Sequence, residues 1–439
     1  MASFLHGIRT PHRKGTKGNP VVRMDIPKTV TIPMAMHIGK PATPIVNVGD
    51  LVKVGTKIGE ASGYISSDIY SSVSGKVVKF AEYVMFNGAV TTSVVIESDG
   101  EMAVDESIAP PVVNDQKELV AAVKAAGIVG LGGAGFPTYV KLDVDPARID
   151  YVVINGAECE PYITSDTVTM MTRGDDMAVA LKALNRYLGV KQVIIGVESN
   201  NRKAADAMKK MAASLEGFSV KVQTLPAVYP QGGEKVLVYH TTGRKIPTGK
   251  LPIDVGCVVL NCTTLAAIGT YLQTGMPLVE KCVTVEGGAV KQPQNVIAPI
   301  GTTLNDVFAF CGGLTSQPAK IIYGGPMMGI TVPTADAPVI KNTNAVLALT
   351  EKEAKLPKTT ACIKCGTCVN TCPFGLSPIL IAEAFEKKDA ASLSTLSVQT
   401  CMECGCCSFV CPANRPLVQI NKLSKQFLNE EAKKEGAKS

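Results

Sequence analysis

The sequence predicts a multidomain α/β protein. It has a small all-β unit near the start, then an α/β domain with a parallel sheet, a second β unit, and a helical module organised by cysteines. Three features predict this. From 29 to 97, apolar and polar residues alternate with period two and are broken every few residues by Gly or Asp, the pattern of short strands joined by tight turns. From 151 to 224, buried-strand runs alternate with stretches of helical length, which makes a parallel sheet. From 362 to 412, one cysteine pattern occurs twice. The composition agrees: 46% hydrophobic residues with only 5% aromatics and no Trp describe a globular interior. A chain of 439 residues is too long for one domain, so three or four are expected.

Residues 1–27 are rich in Gly, Pro, Lys and Arg and read as an extended lead with no core of its own. The β unit spans 28–100. Its two turn-rich alternating stretches, 46–59 and 69–78, resemble the barrel-sandwich domain of biotinyl and lipoyl carriers. The turn that would present the modified Lys, 63–68, contains none, so the unit is expected to dock or to support and not to swing. An acidic, Pro-containing linker follows to 113. Asp115 with Glu118 three residues on fits a capping box, Leu119, Ala122 and Val123 give the stripe of a helix, and Gly127 can close it.

The α/β domain is expected over 114–275. The loop 130–138 matches GxGxxG, but a helix precedes it where a dinucleotide fold would have a strand. Its four glycines, Gly130, Gly132, Gly133 and Gly135, either free backbone N–H groups to wrap a phosphate or cofactor, or form a plain surface turn. A strand at 151–154 ends in Asn155-Gly156-Ala157-Glu158-Cys159-Glu160-Pro161, and ligands bind at such carboxyl ends. Helices at 177–188 and 202–215 and strands at 192–197 and 219–224 continue the alternation. Further polar loops follow at 229–235 and 258–264. Glu158 and Glu160 flank Cys159, so on an extended backbone they face one side and raise each other's pKa; binding is favoured over acid–base work. The most apolar long stretch, 251–272, contains Asp254, Asn261 and two glycines, which lipid would penalise, so it reads as a buried strand and helix.

These loops, in this order, resemble the flavin and NADH site of the 51-kDa NADH-oxidising subunit of respiratory complex I. The matching stretches are 130–141, 155–161, 229–234 and 261–264. The resemblance implies FMN bound by the Gly loop with Lys141, Asn155, Asn261 and Thr264. It implies NAD(H) near Phe136 and Glu160, and further cofactor contacts from Glu158, Tyr229, Gly232 and Glu234. The chain departs from that family at Leu131, Ala157 and Gly233, where Arg, Asp and Glu are usual; these bear on NADH more than on FMN. The segment 276–330 resembles the soluble ligand-binding β-grasp (SLBB) domain and is taken as a spacer, with 331–355 as a linker.

The module 356–425 carries Cys362-x-x-Cys365-x-x-Cys368-x-x-x-Cys372-Pro373 and Cys401-x-x-Cys404-x-x-Cys407-x-x-x-Cys411-Pro412. This is the bacterial ferredoxin spacing, in which the fourth Cys of each run reaches the other cluster. Cys362, Cys365, Cys368 and Cys411 would then hold one [4Fe–4S] cluster, and Cys401, Cys404, Cys407 and Cys372 the other. A pair of zinc knuckles would explain CxxC spacing, but not the x3-Cys-Pro tail or the second copy. The other six cysteines, Cys406 among them, read as small buried apolar residues. A charged, solvated tail closes the chain at 426–439.

A β unit, a flavin domain, a β-grasp and twin ferredoxin clusters, in that order, resemble the RnfC family, the NADH side of the ion-translocating Rnf complexes. The resemblance implies electron exchange between NAD(H) and ferredoxin through FMN and two clusters. It implies Rnf-type membrane subunits and a ferredoxin-binding iron–sulfur subunit as partners, and a peripheral place on the cytoplasmic face of the membrane. A soluble relative, such as the cobalamin reductase or the proline reductase electron donor of similar make, is the alternative. A cluster-only adaptor is a third. A net charge of +6 without a basic stripe argues against nucleic acid. Residues 1–10 lack the roughly 7–15-residue apolar core of a signal peptide, and the cluster cysteines suit a reducing compartment. No membrane span is expected.

Overall fold

The computed structural model describes residues 6–85 and 88–436. In the β unit, strands Thr29–Pro33, Val90–Ser98, Gly75–Val84 and Leu51–Val52 make an antiparallel sheet in that order. A three-stranded sheet of Thr43–Pro44, Lys57–Glu60 and Ile69–Tyr70 faces it. Alternation puts Val30, Ile32, Ile58, Ile69, Val77, Val94 and Ile96 between the sheets, fully buried. This is the expected sandwich. Its 63–68 turn is docked: the Tyr64 hydroxyl donates to Asp143 (3.0 Å), and the Tyr139 hydroxyl donates to the Tyr64 carbonyl.

The α/β domain holds a wholly parallel sheet in the order Ser219–Leu225, Gln192–Glu198, Tyr151–Gly156, Cys257–Asn261. Val152 and Ile154 pack to one side with Leu181, Leu184, Leu265 and Ile268, and Val153 to the other with Leu237 and Val238. Strand order runs outward from Tyr151–Gly156 and then reverses to Cys257–Asn261. The switch point therefore lies between these two strands, and a ligand crevice opens beyond their carboxyl ends. Helix Gln116–Ala125 starts on Asp115, whose side chain accepts from the Glu118 N–H. Glu118 reaches back to the Asn114 N–H (2.7 Å), one residue beyond a regular capping box. Helix Ser165–Thr172 has no counterpart in the sequence reading.

The β-grasp part differs from expectation in two ways. Its six-stranded sheet runs Val21–Arg23, Gln294–Pro299, Glu280–Glu286, Ala345–Leu349, Lys320–Tyr323, Ile330–Val332. The lead therefore supplies an edge strand, with Met24 in the core. The stretch 331–355, read as a linker, contains the central strand Ala345–Leu349, all five residues buried. A five-residue apolar run is consistent with a fully buried strand.

In the cysteine module, helix Pro378–Glu386 packs on Leu417–Gly436, with Ile381, Leu393 and Val398 in their core. The last helix runs on through most of the expected solvated tail. Residues 1–5 of the lead and 437–439 of the tail lie outside the described residues. Among the described residues no helix is long and apolar enough to cross a membrane.

Candidate flavin and iron–sulfur site

The Gly loop is closed at its base, where Gly130 N–H donates to the Phe136 carbonyl (2.8 Å) and Val129 bridges Pro137. Its back is pinned. Leu131 N–H donates to Thr264 Oγ1 (2.9 Å), buried Lys281 donates to the Leu131 carbonyl (3.1 Å), and Asn342 donates to the Gly133 carbonyl (2.9 Å). Its front, Gly132 to Ala134, is exposed. A Cβ on Gly132 would collide with Asn261 Nδ2, whereas one on Gly133 would meet nothing within 4 Å. Gly132 thus lets the loop lie on the strand end, and Gly133 faces open space.

Asn155 and Asn261 are register partners at the switch point. Asn261 Oδ1 caps helix Cys262–Thr274 by accepting from the N–H groups of Thr263 (2.8 Å) and Thr264 (3.2 Å), and its Nδ2 donates to Asp166 (2.8 Å). Asn155 Nδ2 donates to the Gly232 carbonyl (2.8 Å). A Cβ on Gly232 would collide with the Ala157 carbonyl oxygen, so the 155–161 and 229–234 loops touch through bare backbone. Lys141 Nζ lies across the sheet end, donating to Glu234 (2.8 Å) and to the Val259 carbonyl (3.1 Å). An open-faced Gly loop, two strand-end Asn and a cation at the switch-point crevice fit FMN.

Glu158 is buried and Glu160 half-buried, and desolvation pushes each carboxyl up to about 7. The expected mutual repulsion is not the cause. Glu158 accepts from the Asp166 N–H (2.8 Å) and Thr167 hydroxyl (2.7 Å) at the start of helix Ser165–Thr172, with Lys14 at 3.7 Å. Glu160 accepts from the Met327 (3.0 Å) and Met328 (2.8 Å) N–H groups of the β-grasp part. The charged neighbours acting on them are Lys14 and Asp166 for Glu158, and Lys14 for Glu160. Glu198, which sequence reasoning passed over, ends the neighbouring strand and is likewise held at about 7 by burial. The carboxyl-end rule that selected Asn155 would have found it. The three glutamates line a narrow cleft with Lys14, which the lead lays across it.

Tyr229 is 2% exposed, and its hydroxyl donates to the carbonyl of Cys404 (2.7 Å), so it is held by the cysteine module. Around this contact Thr248 and Thr400 share a hydroxyl hydrogen bond (2.8 Å), and Cys406 packs with Ile8 and Tyr229. Gly233 lies against Met402: a Cβ there would run into the methyl end of that side chain.

The two cysteine loops repeat one backbone. Left-handed residues fall at Lys364, Gly366 and Gly375 in one and at Glu403, Gly405 and Asn414 in the other. Lys364 N–H points to Cys362 Sγ and Glu403 N–H to Cys401 Sγ, each at 3.4 Å. Cys411 is an electrostatic neighbour of Cys368, and Cys372 of Cys401, Cys404 and Cys407. Repeated loops, N–H groups aimed at sulfur and crossed fourth cysteines fit two cubane clusters.

Four family models match the chain. They are the RnfC barrel sandwich hybrid domain over 2–101, the Nuo51 FMN-binding domain over 123–270, the SLBB domain over 282–331 and the 4Fe-4S dicluster domain over 361–415. Among the curated proteins that share most of its length are three that are each named as one subunit of an oxidoreductase complex. The first belongs to the Na(+)-translocating ferredoxin:NAD(+) oxidoreductase complex of Acetobacterium woodii; identity is 43% over 386 residues, covering 87% of each chain. The second belongs to the proton-translocating ferredoxin:NAD(+) oxidoreductase complex of Clostridium ljungdahlii. Identity there is 40% over 388 residues, covering 87% of this chain and 84% of that one. With the third, from the ion-translocating oxidoreductase complex of Rhodobacter capsulatus, the chain shares 38% over 431 residues, 95% of this chain and 82% of that one.

Proposed function

The chain belongs to the RnfC family, whose members are subunits of ion-translocating ferredoxin:NAD(+) oxidoreductase complexes, and from that premise we propose how its residues serve the exchange of electrons between NAD(H) and ferredoxin. FMN, when bound, converts a nicotinamide hydride into single electrons, and the two [4Fe–4S] clusters conduct them. The Gly130–Gly135 loop cradles the flavin, with Lys141, Asn155, Asn261 and Thr264 behind it. Phe136, Gly232 and Glu234 border the nicotinamide side, and the cleft of Glu158, Glu160 and Glu198 lies next to it. The eight cysteines divide in the crossed sets described above.

The observation that carries this reading is the joint between domains, where the Tyr229–Gly233 loop is at once a wall of the flavin crevice and the seat of the Cys401–Cys407 loop. Its partners are other subunits of such a complex, and it sits peripherally on the cytoplasmic face of the membrane.

The test is flavin content and NADH-dependent bleaching of the full chain, reconstituted without oxygen, beside Gly133→Ala. Wild type should carry FMN and about eight irons, and NADH should bleach both chromophores. The Ala methyl would enter only open space, so the variant should keep its fold and iron. FMN affinity should fall about tenfold or more, on the order of 1.4 kcal/mol. Unchanged FMN binding in the variant, or a wild type that takes up no flavin, would refute the cradle.

A further inference from the structure

The two cysteine loops share one backbone but have opposite surroundings. The Cys401–Cys407 loop is enclosed: Cys404 is 8% exposed and held by Tyr229, and Met402 lies against Gly233. The Cys362–Cys368 loop faces outward. Cys365, at the same position in its loop as Cys404, is exposed, and so are Ile363 (67%) and Leu356 (79%). Hydrogen bonds holding its approach stay within the module, from Thr360 to Ala413 (3.0 Å) and from Asn414 to Lys358 (3.2 Å). The segment 355–365 contains Lys355, Lys358 and Lys364, all exposed, and no acidic residue. Of the acids nearby in sequence, Glu353 is turned to Thr350 and Gly288, and Glu351 is exposed. On the packed helices Glu386 pairs with Arg415, Glu431 pairs with Lys434, and Glu383 and Glu430 are exposed.

We propose that the face formed by Lys355, Leu356, Lys358, Ile363, Lys364 and Cys365 is the electron outlet of this chain and docks an acidic electron-carrier protein. The proposal rests on the flavin-to-cluster reading above and adds its order: the Cys401 cluster is next to the flavin, and the Cys362 cluster is at the exit. Electron transfer weakens steeply with distance, so the cluster whose ligand reaches the surface is the one that exchanges with another molecule. Two exposed aliphatic side chains, Leu356 and Ile363, interspersed with three exposed lysines along one segment, combine the apolar and charged parts of an interface. The lysines would steer a negatively charged partner to the exposed ligand. Each transfer moves one electron: the exit cluster is oxidised and the carrier reduced, or the reverse, with no bond made or broken.

The test uses the full chain with its cofactors and, as probe, an acidic two-cluster ferredoxin. Binding is measured by calorimetry at low and raised salt. Wild type should bind, and salt should weaken it. Reversing all three lysines (Lys355→Glu, Lys358→Glu and Lys364→Glu together) should weaken binding about tenfold or more, with iron content unchanged. Leu356→Ser should weaken it with no change of charge. NADH-driven bleaching should be unaltered in both variants, since none of these residues is among those proposed to hold the flavin. Equal binding by the triple variant would overturn the proposal. So would a wild type that binds vesicles of anionic lipid through these lysines and not the ferredoxin. If binding behaves as expected while NADH bleaches nothing, the docking face stands and the flavin-to-cluster reading falls.

Discussion

At the scale of single residues, the unusual feature is a group of carboxyls placed where water is scarce. Glu198 is 5% exposed, and burial raises its pKa from the usual carboxylate value to about 7, offset in part by Lys14 and Lys17. The sign follows from proton counting. Between about 4.5 and 7 the folded chain holds more protons on this group than the unfolded chain, so stability is full below that window and falls as pH rises through it. Glu198→Gln removes the titration. It should stabilise the protein at pH 8 by something on the order of 2 kcal/mol, and by roughly half of that or less at pH 5.5. Denaturant unfolding at the two pH values checks this. A gain of equal size at both, or a loss at pH 8, would show that Glu198 is not charged at the cost of folding. The sequence marked Glu158 and Glu160 because a motif contains them. It left Glu198 unmarked because its burial comes from the lead, whose Lys14 lies nearly two hundred residues away along the chain.

At the scale of elements, what was legible depended on how far a strand's partners lie along the chain. The strands of the parallel sheet read correctly between 151 and 261 because each carries its own apolar run, although helix Ser165–Thr172 between them was not anticipated. The β-grasp sheet did not: Val21 pairs with Asn295 and Thr284 with Ala345, and nothing local announces such partners. The supposed linker also holds Lys341, 1% exposed, at the junction of three domains. Its ammonium donates to Ser67 Oγ (3.1 Å), to the Asp68 carbonyl (2.5 Å) and to the Gly127 carbonyl (2.7 Å), tying the β unit to the base of the Gly loop. Burial lowers its pKa to about 7, with Asp68 opposing. Lys341→Met would leave the buried Gly127 carbonyl without its donor and the Asp68 carbonyl with only the Ser67 hydroxyl (3.4 Å), at roughly 3 kcal/mol. Calorimetry should show the β unit melting in a separate, earlier transition. A thermogram shifted as one peak, or not shifted, would mean that Lys341 does not join the domains.

At the scale of the whole molecule, the flavin domain and the cysteine module act as one electrical unit only if their joint is specific, and Tyr229 makes that testable. Its hydroxyl donates to the Cys404 carbonyl from a site that is almost fully buried. A donor pointed at a cluster-ligand residue favours the reduced, more negative cluster, and hydrogen bonding and burial are the means by which proteins set cluster potentials. Tyr229→Phe keeps the ring, and so the packing with Ile8 and Cys406, while removing the donor. One bond of about 1 kcal/mol corresponds to a shift on the order of tens of millivolts for a one-electron couple. Redox titration followed by electron paramagnetic resonance should therefore show one cluster moving to a lower potential and the other unmoved. The cluster proposed for Cys362, Cys365, Cys368 and Cys411 has no such contact with Tyr229 and serves as the internal reference. The same variant should slow NADH-driven reduction of both clusters, because in the proposed order electrons for the exit cluster would pass through the one beside Tyr229. Both clusters shifting together would point to loosened packing, and neither shifting would remove Tyr229 from the route. If the Cys362 cluster alone moved, the order of the two clusters would have to be reversed.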